Sequence, residues 1–205
     1  MRHVIRTAGV VLGIGMLLTA RPAPAVYPLR PLALKEVLEE CPLIFTVRVE
    51  SVDERGPQAV VVAGDDLKGK APFRRLTIDL TGDEWAKKEG HTPQLLRRIA
   101  PELPLVLFAV PKSQHVLLVG YTNGTWFQAL GREDRDGKWT GTFAHLEPNL
   151  RRTFKGTTAE LIQVLGDGLA GRKPLPAADA KESPGLGPEI EPRGRGSKTG
   201  QGDGH

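Results

Sequence analysis

The chain has one cysteine, Cys41, so no internal disulfide can staple it. The uncharged stretch Ala8 to Ala20 falls short of the roughly twenty residues that a helix needs to cross a bilayer. Signature motifs are also missing. No His-Glu-x-x-His, Cys-x-x-Cys or Gly-x-Ser-x-Gly occurs, which removes the common patterns of zinc hydrolysis, thiolate metal sites and the hydrolase nucleophile elbow. Gly64-Asp65-Asp66-Leu67-Lys68-Gly69-Lys70 fits the first seven positions of a phosphate loop. Ala71 then stands where Ser or Thr must hold magnesium, and Pro72 stands where a helix should start. That stretch reads as a strand end and a loop. No cofactor and no metal are expected.

What is present at the start is an export pattern. Arg2 and Arg6 precede the uncharged run, and Ala23-Pro24-Ala25 supplies small residues around a cleavage site. Residues 1–25 are expected to be a signal peptide, with a periplasmic or secreted chain starting near Val26. No cysteine sits beside the cleavage site to accept a lipid, so no stable membrane span is expected. Removing residues 1–25 takes away three arginines and no acid, which lowers the formal net charge from +4 to +1. The high pI of the whole chain is therefore weak evidence for an anionic partner, and nucleic acid is not expected.

Residues 26–173 read as a single domain. Leu34, Val37, Leu38 and Cys41 recur at helical spacing after Pro31, and Pro42 ends the helix. Cys41 lies on the apolar stripe and is expected to be buried. From Leu43 the period becomes two, which gives a first strand; Ala59 to Ala63 and Leu76 to Leu80 give two more. Asp83 caps a short turn to Gly90. Thr92-Pro93 opens a helix carrying Leu95, Leu96 and Ile99. Apolar runs Leu105 to Val110 and Val116 to Gly120, then Thr125 to Leu130 and Trp139 to Phe143, are joined by Asn123-Gly124 and Asp136-Gly137. These turn dipeptides predict an antiparallel meander.

Three strands, a helix and further strands are compatible with an OB-like antiparallel β-barrel, whose five strands hold a helix between the third and fourth. Strands at Thr125 to Leu130 and Trp139 to Phe143 are then additions, and other α+β arrangements stay open. Thr157 with Glu160 forms a capping box before a helix carrying Leu161, Ile162, Val164 and Leu165. The fold class is thus mainly β with flanking helices. Residues 174–205 are rich in glycine, proline and charge, with Leu186 and Ile190 the only large aliphatics after Leu175, so a disordered tail is expected there.

The leading helix, Asp66-Leu67-Lys68-Gly69 and Leu105-Val106-Leu107-Phe108 resemble the netrin and tissue-inhibitor-of-metalloproteinase barrels of exported proteins. Tyr121 to Gln128 and Leu150 to Leu161 resemble uncharacterised exported proteins of planctomycete bacteria. The second resemblance implies a shared fold and export and brings no activity. The inhibitors place an N-terminal cysteine over a protease metal; this chain has its cysteine at 41, so that mechanism is not carried over.

Arg151, Arg152 and Lys155, just ahead of the helix capped by Thr157, are the candidate binding residues. Guanidinium groups and the free N–H groups of a helix start together favour an anion. Pairing of the arginines with Glu147 and Glu160 is the structural alternative. Tyr121, Trp126 and Phe127 are expected to offer a stacking face beside it, of which alternation leaves at most half facing outward, and Tyr121, Asn123 and Trp126 join the candidate set. No catalytic residue is assigned. The expected function is non-enzymatic binding of an anionic group on an envelope polymer or partner protein. The alternative is an extracytoplasmic hydrolase using His115 or His145 as base.

Overall fold

The computed structural model describes residues 32–190; the expected leader 1–25 and residues 191–205 lie outside the described residues. Helix α1 (Leu34–Glu40) buries its stripe of Leu34, Val37 and Leu38. Cys41 follows, and burial, with Glu40 nearby, pushes its thiol up to about 11. At that value it stays an inert thiol. Lys68 donates to the Leu38 and Cys41 carbonyls that the end of the helix leaves open.

Strands β1 (Leu43–Asp53), β2 (Gln58–Lys68) and β3 (Arg75–Asp79) form a meander. Helices α2 (Glu84–Lys88) and α3 (His91–Leu96) follow, then a second meander of β4 (Pro104–Lys112), β5 (His115–Thr122), β6 (Thr125–Glu133) and β7 (Trp139–Leu146). The strands close into one barrel in the order β1-β2-β3-β7-β6-β5-β4. The two strands expected beyond the five of an OB-like barrel are β6 and β7. The expectation of an all-antiparallel sheet needs correction, because β3 and β7 run parallel. The helical crossover and the four-strand return bring β7 up beside β3 in that direction, and this pairing completes the closure.

Two cores result. Phe45, Val47, Leu76, Ile78, Leu107, Leu118, Phe127 and Phe143 fill the barrel interior. On the outer wall, α1 and the terminal helix α4 (Thr158–Leu169) cover Ile44, Val106, Phe108, Tyr121 and Trp126. Strand β4 therefore has both faces buried, which is why Leu105 to Ala109 is an unbroken apolar run. At the β5–β6 turn Asn123 and Gly124 both take positive φ, 42° and 80°, as the dipeptide predicts. Gly120 faces Phe127 across the ladder, and a Cβ there would lie 2.1 Å from the Phe127 ring.

The chain from Pro174 to Ile190 is not the disordered segment expected from composition. It lies across one end of the barrel as a strap. Asp179, Gly185, Gly187 and Ile190 donate main-chain hydrogen bonds to Arg152, Pro148, Thr125 and Arg97. Leu186 packs against the interior core. No helix among the described residues is long and apolar enough to cross a membrane.

Candidate functional site

The β5–β6 turn, a 3-10 helix (Pro148–Arg152) and the start of α4 meet at one end of the barrel. The seven candidate residues converge there, in two layers with different roles. Tyr121 and Trp126 form the inner layer, 0% and 1% exposed. The Tyr121 hydroxyl donates to the Gly156 carbonyl and accepts from Gly124 N–H at 2.9 Å, and burial raises its pKa. Trp126 Nε1 donates to the Phe154 carbonyl at 2.9 Å. Neither ring offers a face to a ligand. The stacking role expected for them is corrected: α4 covers the outer side of β5 and β6, so the face that alternation leaves outside the barrel is a second core.

The open helix start is also filled. Thr157 and Glu160 form the predicted capping box, with Thr157 N–H donating to Glu160 at 2.7 Å and Glu160 N–H to Thr157 at 3.2 Å. Asn123 Oδ1 accepts from Thr158 N–H at 3.0 Å, and Asn123 N–H donates to Thr158 Oγ1 at 3.0 Å. These bonds tie the turn to the helix and engage the N–H groups of Thr157, Thr158 and Glu160. Thr157→Ala is expected to cost about 1 kcal/mol, measured as a lower urea midpoint at unchanged slope.

The outer layer is cationic. Arg151 Nε pairs with Glu182 at 3.0 Å, and its Nη1 donates to the Leu186 carbonyl at 3.3 Å. Arg152 Nε donates to the Glu182 carbonyl at 2.8 Å. Lys155 pairs with Glu182, and with Asp179 at 3.4 Å. Arg151 thus does find a carboxylate, though from the strap and not from Glu147 or Glu160, while Arg152 takes a main-chain carbonyl of the same strap. Lys155 and then Arg151 hold the Glu182 carboxyl below its ordinary value, and Glu182 in turn raises Lys155.

Arg98 is a residue the sequence did not point to. It is 9% exposed, and its Nε donates to the Gly187 carbonyl at 3.1 Å. Its nearest carboxylate is Glu189, 3.9 Å away. The second of two adjacent arginines, Arg97 and Arg98, carries no local sign that it will be buried beneath a segment 89 residues later.

A second cluster joins α2 to β7. His145 Nδ1 lies 3.0 Å from Asp83 Oδ2, and its Nε2 lies 2.8 Å from Glu147 Oε1. Carboxylates that are ionised only accept, so two of them on one ring favour the form in which both ring nitrogens donate, the imidazolium. The Glu147 hydrogen bond raises the His145 pKa against the effect of burial, and Asp83 adds to it. Glu147 is 4% exposed and also accepts from Gln128 at 2.7 Å. His91 is buried, accepts from Leu146 N–H at 3.2 Å, and is held neutral by burial first and the His145 charge second. Trp85 lies edge-on to both imidazoles, with centroids 4.9 and 4.8 Å away.

His145 therefore has no free lone pair with which to take a proton. His115 lines a groove with Ser113 and Glu133, and its Nδ1 is buried without a partner. Among the described residues no carboxylate orients it, and none gathers a metal-binding set of three His, Cys, Asp or Glu side chains. No protein-family model, curated protein or solved structure matches the chain.

Proposed function

We propose that the chain is an exported binding module, an OB-like barrel that acts by recognition and not by catalysis. Arg151, Arg152 and Lys155 engage an anionic group on a cell-envelope polymer or a partner protein. The observation that carries this reading is what the three cations already hold: the carboxylates of Asp179 and Glu182 and the carbonyls of Glu182 and Leu186. An arriving anion must displace the Glu182 carboxylate, but it then meets a guanidinium and an ammonium already arranged around one carboxylate position. The leader pattern over residues 1–25 supports the exported address, and the helices between the third and fourth strands support the OB-like assignment. A hydrolase draws less support, because its proposed base His145 has both nitrogens engaged.

The test is a pull-down from the native cell envelope with the chain from Val26 onward, compared with its Arg151→Glu, Arg152→Glu variant. A partner held by the first and lost by the folded variant is the expected result. Equal capture by both would remove the cationic cluster from the function.

A further inference from the structure

The strap is held as a ligand would be held, and its bed has the features of a peptide site. We infer that this bed is a groove for an acidic, leucine-anchored segment of a partner protein, with the chain's own strap as resident competitor. The inference rests on the binding-module reading and specifies the partner.

Main-chain contacts run the length of the strap. Asp179 N–H bonds Arg152 at 2.8 Å, Gly185 N–H bonds Pro148 at 3.0 Å, Gly187 N–H bonds Thr125 Oγ1 at 3.1 Å, and Ile190 N–H bonds Arg97 at 2.8 Å. Such bonds supply affinity with little regard to sequence; side-chain subsites supply the choice. Four subsites are present. Lys155 takes Asp179, Arg151 with Lys155 takes Glu182, the rim of the interior core takes Leu186, and the β5–β6 turn takes Gly187. The last is the most selective. A Cβ on Gly187 would lie 1.9 Å from the Asn123 carbonyl oxygen, so no other residue passes there without displacing the turn. Between these anchors Ala180, Lys181, Ser183 and Pro184 are exposed and free to vary. The pattern that fits is Asp-x-x-Glu-x-x-x-Leu-Gly.

A buried cation also links the bed to its occupant. Buried Arg98 gives one N–H to the Gly187 carbonyl and has its nearest carboxylate in Glu189, both on the strap. Without a strap that cation loses the Gly187 carbonyl and Glu189 and keeps only its bond to the Gln94 carbonyl of α3. An incoming segment that supplies a carbonyl there restores the bond. The tether stays anchored where Arg172 and Lys173 pair with Asp167, and beyond it residues 174–177 are exposed apart from Leu175, so the strap can lift from there.

The experiment uses the full chain and a fluorescein-labelled synthetic peptide of residues 179–190, read by anisotropy. Gly187→Ala in the chain expels the tethered strap; a Glu182→Ala, Leu186→Ala chain does so by a second route if the first fails to fold. Both chains are expected to bind the peptide at least tenfold more tightly than the unaltered chain, whose strap competes at high effective concentration. Peptides carrying Glu182→Ala, Leu186→Ala or Gly187→Ala should each lose at least tenfold. Equal affinity for altered and unaltered chains, or no binding to a folded strap-released chain, overturns the inference. A concentration-dependent dimer of the unaltered chain that the free peptide dissociates would make a second copy the occupant, and overturns the choice of partner. Capture of an envelope partner that depends on Arg151 yet is equal for the unaltered and Gly187→Ala chains would leave the binding-module reading standing and remove the peptide groove.

Discussion

Replacing Trp126 by alanine is expected to destabilise the fold by about 3–5 kcal/mol, the range for truncating a fully buried aromatic. The indole is 1% exposed and packs against Tyr121 and Phe108 with ring centroids 4.7 and 5.6 Å apart. Its N–H is also the donor to the Phe154 carbonyl, in the link between the 3-10 helix and α4. Alanine therefore opens a cavity beneath α4 and removes one tie that holds the helix on the barrel. Trp126→Phe should restore most of the loss and leave about 1 kcal/mol, the worth of one hydrogen bond. Urea midpoints of the three chains separate the two parts. A residue kept for stacking a ligand would behave otherwise, with stability within about 0.5 kcal/mol of the parent as for a surface change. That outcome would return Trp126 to the binding face.

Local signals in this chain were legible wherever the physics is local. Asn123-Gly124 placed its turn because only a few residues tolerate positive φ, and Thr157 with Glu160 placed the start of α4 because a cap is satisfied within one turn. The unbroken run in β4 marked burial on both faces. Alternation in β5 and β6 separated two faces, yet could not show that the outer one is roofed by a helix formed some thirty residues later. Tyr121 and Trp126 were misread as surface for that reason. The cationic cluster was visible as Arg151, Arg152 and Lys155, but its partner Glu182 lies 31 residues from Arg151 across a stretch that composition assigns to disorder. Apolar content measures what a segment can bury. It does not count main-chain hydrogen bonds, a glycine fitted against a turn, or a buried arginine that needs a carbonyl, and these hold the strap.

Replacing His145 by glutamine is expected to cost about 2–4 kcal/mol near pH 6, since two charge-assisted hydrogen bonds weaken and the buried Glu147 carboxylate loses its counter-charge. The loss should shrink toward pH 9. The His145 pKa is raised above its ordinary 6.5 in the fold, so above that pH the native state holds more protons than the unfolded chain and stability falls as pH rises. The contribution is whole below 6.5 and disappears through the raised folded value. The groups that face His145 act in other windows. Desolvation alone would raise the Asp83 carboxyl, but the Ala86 N–H and His145 hold it below its ordinary 3.8. Its contribution is therefore present above 3.8 and lost as pH falls through the lowered value. His91, held neutral mainly by burial with Glu89 opposing, makes stability fall as pH drops from 6.5 through its own lowered value. Gln128 and Trp85, the remaining neighbours, do not titrate. Urea unfolding of the parent and His145→Gln chains from pH 6 to pH 9 should therefore give curves that converge, whereas parallel curves would mean that the ring is not an imidazolium in the fold. The point bears on function as well. A histidine that staples α2 to the end of β7 would abolish almost any activity when removed, so loss of turnover in a His145 variant identifies a base only if the variant is first shown to be folded at the assay pH.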